Sequence, residues 1–186
     1  MAAFARRAGF DVDVARFEDW DPDGRRFDAV VSGQTWHWID PVAGAAKAAE
    51  VLRPGGRLAL FWNVMDPAPE IARAFAEVYV RVGPDLPFAP WSSATLDAYS
   101  PIFDAAAGGL AEAGAFDEPE RWRFPWERVY TRDEWLEPVP THGGHNRLPP
   151  QIQAALLDGI AEVVDAAGGR FTMRYVAVAL VAGRRI

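Results

Sequence analysis

The sequence predicts an α/β fold in which a mostly parallel sheet carries helices on both faces. Three observations lead to this class. Short apolar runs, typical of strands buried on both faces, alternate with helical patterns along the chain. Two of these runs are joined by one helix with short connections, which predicts parallel strands and a right-handed crossover. A long run over residues 170–183 is apolar at nearly every position of its second half.

Periodicity and capping residues give the order of the elements. Gly9 ends a first helix over 2–8, and the alternation in DVDVARF predicts a strand over 11–17. Asp40 followed by Pro41 is a typical helix start, with Asp as the N-cap and Pro at the first helical position. The other predicted elements are strands at 27–33, 57–63, 118–126 and 170–183, helices at 41–52, 69–82, 101–113 and 150–167, a turn at RPGG (53–56) and a loop at PDLPFAPWSS (84–93).

Composition excludes several classes of function. A net charge of −7 with a single lysine, Lys47, argues against a nucleic-acid partner, because phosphate binding needs clustered basic residues. The absence of cysteine excludes disulfides, thiol catalysis and Cys-ligated zinc. No apolar run reaches the roughly 18 residues of a membrane span, and the N-terminus does not have the pattern of a signal peptide. We therefore expect a cytoplasmic protein without a membrane partner.

Two linked motifs carry a resemblance to a known family. The stretch FDAVVSGQTWHWIDP is followed by a helix that ends in VLRPGGRLALFWN. This pair resembles the fourth and fifth strands of class I S-adenosylmethionine-dependent methyltransferases of the type 11 kind. The part from FPWERVYTRDEW to FTMRYVAVAL is similar to the antiparallel sixth and seventh strands of that family. The resemblance implies a Rossmann-like sheet with the strand order 3-2-1-4-5-7-6.

The resemblance also implies how the chain is organised. We expect one methyltransferase-like domain over 1–186. Residues 1–66 are then the remainder of the cofactor-binding half, 67–150 a helical and loop region on the substrate side, and 151–186 the C-terminal helix and strand.

One element that the resemblance implies is missing. Family members begin with a strand that ends in a glycine-rich D-x-G-x-G loop, and a second strand ends in an acidic residue. The first 23 residues contain only one glycine, Gly9, so strands 1 and 2 of the family are absent and Met1 resembles an internal methionine. Truncation, a misplaced start codon and a degenerate paralogue all remain open.

This absence predicts an exposed strand edge. By the family's strand order, the two missing strands lie between residues 11–17 and 27–33. The strand at 27–33 therefore becomes an apolar edge, which is a template for pairing with another chain. We expect either that residues 11–17 move onto this edge or that two chains pair there as a homodimer.

The resemblance assigns cofactor-binding positions. At the carboxyl end of the fourth strand, Ser32, Gly33 and Gln34 match residues that face the methionine end of S-adenosylmethionine. The alternative interpretation is a plain strand-to-helix turn. At the end of the third strand, Arg16, Phe17 and Glu18 match the adenine-contacting positions, and we expect Trp20 to close the adenine pocket. The alternative for Phe17 and Trp20 is the core.

The next candidates lie just after the fourth strand of the family and are Trp36, His37 and Trp38. We expect His37 to act as a general base or orienting group with a pKa near neutrality, and Trp36 to wall the acceptor cavity. The alternative for His37 is a hydrogen bond to a carbonyl. For Trp38 we expect packing under the following helix.

His142 and His145 lie in the glycine-rich stretch THGGHNRLPP, which makes a poor rigid frame for a metal. We expect a role in a substrate lid and no metal site. Four tryptophans are further candidates for an apolar acceptor site or for the core: Trp91, Trp122, Trp126 and Trp135.

Together these observations predict S-adenosylmethionine-dependent methyl transfer to a small molecule by the full-length form. Cofactor binding and activity of this chain alone stay open, because half of the site is missing. The alternative is a non-catalytic remnant of a methyltransferase that acts as a dimerisation or binding module.

Overall fold

The computed structural model describes residues 1–84, 86, 91 and 95–186, and in this part of the chain six α-helices accompany one four-stranded sheet. The predicted loop at 84–93 lies largely outside the described residues. In chain order the elements are α1 (Ala2–Arg7), β1 (Phe27–Gly33), α2 (Pro41–Val51), β2 (Leu52–Pro67), α3 (Pro69–Val82), α4 (Thr95–Ala113), β3 (Glu120–Thr131), α5 (Arg132–Leu136), α6 (Pro150–Ala166) and β4 (Arg170–Gly183). Short 3₁₀ turns lie at Trp36–Trp38, Val139–Thr141 and His145–Arg147.

The sheet has the order β1-β2-β4-β3, which agrees with the order that the resemblance implies for the family's last four strands. β1 pairs with β2 in parallel, with Gly33 opposite Phe61. The connecting helix α2 begins as predicted, because the Asp40 carboxylate accepts hydrogen bonds from the backbone N–H groups of Val42 and Ala43. The α/β class and the βαβ unit are therefore confirmed.

Several element boundaries differ from the prediction. The helix predicted at 101–113 begins earlier, at Thr95, and holds Pro101 in its interior. β3 ends five residues later than predicted. The RPGG turn lies inside β2, where the pairing with β1 skips from Leu52 to Arg57. Gly55 has a φ of 77°, so the segment forms an irregularity in the strand and helix α2 ends before it, at Val51.

The predicted strand over 11–17 is wrong. This segment has no regular secondary structure apart from a bend at Ala15 and a turn that begins at Phe17, and Val14 is 76% exposed. The Asp13 carboxylate accepts hydrogen bonds from the Trp20 indole and the Arg25 guanidinium, at 2.8 and 2.7 Å. These bonds tie the segment to the residues that follow it, and it does not pair with β1. Alternation of apolar and polar residues makes a strand only where a neighbouring strand supplies the ladder of hydrogen bonds.

The chain forms two compact units. The first comprises Met1–Trp62, Pro101–Trp122 and Ala179–Ile186, and the second Asn63–Ser100 and Arg123–Val178. The first has fully buried residues in β2 and α4, among them Leu58, Leu60, Trp62, Phe103 and Leu110. The second has an aromatic core that includes Phe75, Tyr79, Tyr130, Trp135 and Phe171. In the described ranges, no helix is both long enough and apolar enough to cross a membrane.

Candidate functional site

The carboxyl end of β1 leads into a compact turn before α2. The backbone N–H of Gln34 donates to the carbonyl oxygen of Phe61 at 2.9 Å, and Gln34 adopts a φ of 55°. The hydroxyl groups of Ser32 and Thr35 lie 2.9 Å apart. The left-handed conformation of Gln34 ends the strand, and the chain continues into the 3₁₀ turn Trp36–Trp38. Ligands of open α/β sheets bind at this edge of the sheet.

A cavity of about 230 Å³ lies beside this turn in the first unit, and we call it the α4 cavity. The turn and the start of α2 form one side, and the first half of α4 forms the other. Its lining is apolar apart from the imidazole ring of His37. The lining residues are Trp36, His37, Ile39, Pro41, Pro101, Ile102, Ala105 and Ala106. An apolar cavity of about 150 Å³ accepts a benzene molecule, so this one has room for a ring-sized group.

One ring nitrogen of His37 is hydrogen-bonded within the protein. The indole N–H of Trp62 donates to His37 Nδ1 at 3.3 Å. Burial lowers the pKa of His37 below its ordinary value. The hydrogen-bond partner is an indole N–H, whereas the alternative in the sequence analysis was a backbone carbonyl.

The two tryptophans that flank His37 have opposite environments. Trp36 is 2% exposed and lines the α4 cavity, as expected for a wall residue. Its indole N–H is buried without an acceptor among the described residues. Trp38 is 79% exposed, so the expectation that it packs under the following helix is wrong. Its ring contacts that of His37, with centroids 4.9 Å apart.

The adenine-side candidates are engaged within the chain. The Glu18 carboxylate accepts from the backbone N–H of Asp40 at 3.2 Å, and Arg16 lies 3.7 Å from the same carboxylate. Hydrogen bonds from the backbone N–H groups of Glu18 itself and of Asp40 lower the pKa of Glu18. This carboxylate therefore supports the start of α2.

The aromatic candidates of the same segment also have partners. The ring of Phe17 lies 6.0 Å from that of Trp36. The indole N–H of Trp20 donates to Asp13, and the Arg25 guanidinium lies over the Trp20 ring at 5.0 Å. Phe17 thus packs beside the α4 cavity wall, and Trp20 is covered by a cation from its own segment.

Gly33 lies against an aromatic ring of the neighbouring strand. A Cβ atom at Gly33 would lie 2.7 Å from Cζ of Phe61, closer than real Cβ atoms approach. The open side of this glycine is therefore filled by an aromatic ring. Glu18 and Trp20 are also engaged within the chain, and cofactor binding by these residues stays a prediction.

His142 and His145 belong to the second unit, whereas His37 belongs to the first. His145 is 4% exposed. Its Nδ1 lies 3.3 Å from the carbonyl oxygen of His142, and its Nε2 lies 2.7 Å from the hydroxyl of Tyr79. A carbonyl only accepts, so Nδ1 carries the proton and Tyr79 donates to Nε2. The structure gives His145 a packing role in the core, and a substrate role stays a prediction.

Burial governs the titration of this cluster. It lowers the pKa of both histidines and raises the pKa of Tyr79 to about 12. Within the described ranges, no group of three or more His, Asp or Glu side chains could hold a metal ion.

Most of the other candidate tryptophans pack against aromatic rings. Trp135 is 2% exposed and lies in the aromatic core of the second unit, where the ring of Trp91 approaches it to 6.4 Å. Trp126 stacks on Tyr175 with centroids 4.2 Å apart. The α4 cavity is lined by none of these three residues, nor by Trp122.

Sequence reasoning missed one wall of the α4 cavity and the partner of His37. The missed wall is formed by Pro101, Ile102, Ala105 and Ala106. These residues lie more than 60 positions from His37 in sequence, and no local pattern links them to it. Trp62 could have been found, because it lies near the carboxyl end of the parallel part of β2, where ligand-site residues of such sheets concentrate.

Known proteins resemble this chain in both sequence and fold. A family model described as a methyltransferase domain matches residues 1–60. Two proteins named as uncharacterized methyltransferases, from Mycobacterium tuberculosis and Mycobacterium bovis, are each 44% identical over 142 residues. The matched stretch is 76% of this chain and 50% of each relative, so the chain spans about half the length of these relatives.

A structure assigned as a type II methyltransferase from Anaeromyxobacter dehalogenans has the same fold. It superposes with a TM-score of 0.56 at 21% identity, covering 93% of this chain and 70% of that one. The chain is therefore similar to methyltransferases in sequence, and it shares the fold of one.

Proposed function

We propose that the protein transfers a methyl group from S-adenosylmethionine to a small molecule, and that the α4 cavity receives this methyl acceptor. The observation that carries the proposal is the position of an apolar, ring-sized cavity at the carboxyl end of β1, with the His37 ring in its wall. Trp36 walls the cavity, and His37 orients the acceptor. The negative net charge disfavours a nucleic-acid acceptor.

Cofactor binding by this chain alone is expected to be weak. Glu18 and Trp20 are engaged by Asp40 and Asp13, and the Phe61 ring fills the open side of Gly33. The family's cofactor positions remain candidates in the whole protein: Arg16, Phe17, Glu18, Trp20, Ser32, Gly33 and Gln34. Calorimetric titration of this chain with S-adenosylmethionine should give no saturable heat. Saturable binding at micromolar cofactor would show that these residues do form a cradle.

The function itself is tested in a hybrid protein. The 142-residue segment of the Mycobacterium tuberculosis relative that matches this chain is replaced by the matching segment of this chain. We expect the hybrid to form S-adenosylhomocysteine when the small-molecule fraction of a cell extract is added, and not without it. The unaltered relative is the positive control. An active relative with an inactive hybrid would contradict the proposal and favour a binding module.

The role of the α4 cavity is tested in the same hybrid by Ala105→Trp. Ala105 is exposed and lines the cavity, so a larger side chain fills the space at small cost to folding. We expect acceptor-stimulated turnover to fall at least about tenfold, the effect of losing roughly 1.4 kcal/mol of transition-state stabilisation. The matched control is Ala111→Trp, an exposed alanine of α4 outside the cavity lining. Equal turnover of the two variants would place the acceptor elsewhere.

We also propose that two copies of this chain pair through the edge of β1. Within the described residues β2 is the strand neighbour of β1, and Val31 is 64% exposed on it. An apolar edge of this kind pairs readily with a second strand, and lysine on an edge opposes pairing. By light scattering, the chain should have the mass of a dimer and Val31→Lys that of a monomer. Val80→Lys, at an exposed valine of α3, should leave the dimer intact. A wild-type monomer at all concentrations would refute this pairing.

A further inference from the structure

The hydrogen bond between Trp62 and His37 determines where the imidazole proton lies. Trp62 is fully buried, and its indole N–H can only donate. The atom 3.3 Å away, His37 Nδ1, must therefore present its lone pair. A neutral imidazole has one N–H, so the proton of His37 lies on Nε2, at the opposite edge of the ring.

We propose that Trp62 is a positioning residue that holds His37 in the Nε2–H form, so that His37 donates a hydrogen bond to the methyl acceptor and does not remove a proton from it. The acceptor is then a small apolar molecule with a carboxylate whose oxygen receives the methyl group. This inference rests on the proposed function, since it names the acceptor class of the same cavity.

A proton on Nε2 of His37 suits an acceptor that does not have to lose a proton. Nε2 already carries a proton and cannot accept another. Protonation at Nδ1 would break the hydrogen bond with Trp62 and leave a buried indole N–H without an acceptor, at a cost of free energy. With S-adenosylmethionine as the methyl donor, the C–S bond of its sulfonium would break as the carboxylate oxygen formed the new O–C bond. The products would be a neutral thioether and a neutral ester, and no proton would have to leave. A base at His37 is therefore not needed.

The apolar lining of the α4 cavity would hold the rest of the molecule.

His145 provides an internal control, because its partners impose the opposite tautomer. The carbonyl of His142 requires a proton on Nδ1, and the Tyr79 hydroxyl then donates to Nε2. Two histidines of one chain should therefore give opposite tautomer signatures in a single spectrum.

The tautomers can be measured by long-range ¹H–¹⁵N NMR on the intact chain with ¹⁵N-labelled histidine, at mildly alkaline pH. The His37 signals are assigned by their loss in His37→Asn. We expect Nε2–H for His37 and Nδ1–H for His145. In Trp62→Phe, which removes only the N–H donor and part of the ring, His37 should become a mixture of both forms while His145 stays unchanged.

Either an Nδ1–H form of His37 in the wild-type chain or an unchanged His37 tautomer in folded Trp62→Phe would overturn the proposal. The wild-type spectrum decides the tautomer by itself, so the test does not depend on the folding of the variant. It needs neither cofactor nor turnover, and its result is therefore independent of the hybrid assay for methyl transfer.

The acceptor class is tested by titrating the labelled wild-type chain with benzoate. A ring of this size fits the cavity volume, and the carboxylate supplies the oxygen. We expect a saturable downfield shift of the His37 Nε2–H proton with retention of the tautomer. Toluene, which has the same ring without an oxygen acceptor, should not produce this shift. No response of His37 to benzoate, or the same response to toluene, would overturn the carboxylate assignment.

Discussion

Replacing Gly109 by alanine is expected to destabilise the protein by about 3 kcal/mol. A Cβ atom at Gly109 would lie 2.4 Å from the carbonyl oxygen of Pro41 and 2.5 Å from its carbonyl carbon. These are backbone atoms at the start of α2, held by the Asp40 cap, and they cannot rotate away as a flexible side chain would. Helix α4 must move away from α2 to make room.

The adjacent Gly108 is the matched control. It lies in the same helix, is exposed, and has no heavy atom within 4 Å of its hypothetical Cβ. Gly108→Ala should therefore stabilise the protein by up to about 1 kcal/mol, because alanine loses less backbone entropy in a helix. Urea denaturation gives the free energy of unfolding of both variants. Gly109→Ala with the stability of the wild type would show that α4 does not pack closely on α2.

This substitution also bears on function. The α4 cavity lies between the first half of α4 and the turn that carries His37. A shift of α4 widens the cavity and weakens the hold on a bound ring. Gly109→Ala should therefore raise the benzoate concentration needed to saturate the His37 shift, whereas Gly108→Ala should not.

Trp135→Ala is expected to cost about 3–5 kcal/mol, as is typical of a large aromatic residue removed from a core. The Trp135 ring is parallel to that of Phe75 at 5.9 Å and meets Phe171 and Tyr130 edge-on, each at 5.2 Å. Alanine would leave a cavity bordered by three rings from α3, β3 and β4. Aromatic pairs of this geometry add stabilisation beyond the buried area.

Trp135→Phe separates the ring contacts from the indole N–H, which is buried without an acceptor among the described residues. Phenylalanine keeps most of the ring contacts and removes the unsatisfied donor, whose burial costs about 1–3 kcal/mol. We therefore expect a loss of less than about 1.5 kcal/mol, measured by urea denaturation beside Trp135→Ala. A loss as large as that of alanine would mean that the N–H finds an acceptor, such as water, in solution.

The strands and helices that the sequence predicted best are those specified by nearby residues. The apolar runs at Phe27–Gly33 and Arg170–Gly183 have their predicted bounds, and Pro69–Val82 is the predicted helix. Asp40 caps α2 because the cap needs only the next three residues. The segment over 11–17 failed for the opposite reason, since a strand depends on a neighbour that the local pattern does not contain.

The site shows the same division between local and tertiary information. By itself the sequence determined the α/β class, the βαβ unit and the unusual Trp36-His37 pair after β1, because periodicity, capping and motif order are properties of consecutive residues. Only the tertiary structure decided that Trp38 is exposed, that Phe61 fills the space at Gly33, and that Trp62 and α4 complete the surroundings of His37. Such contacts join residues far apart in the chain, and they depend on distances of a few tenths of an ångström that no spacing in a sequence encodes.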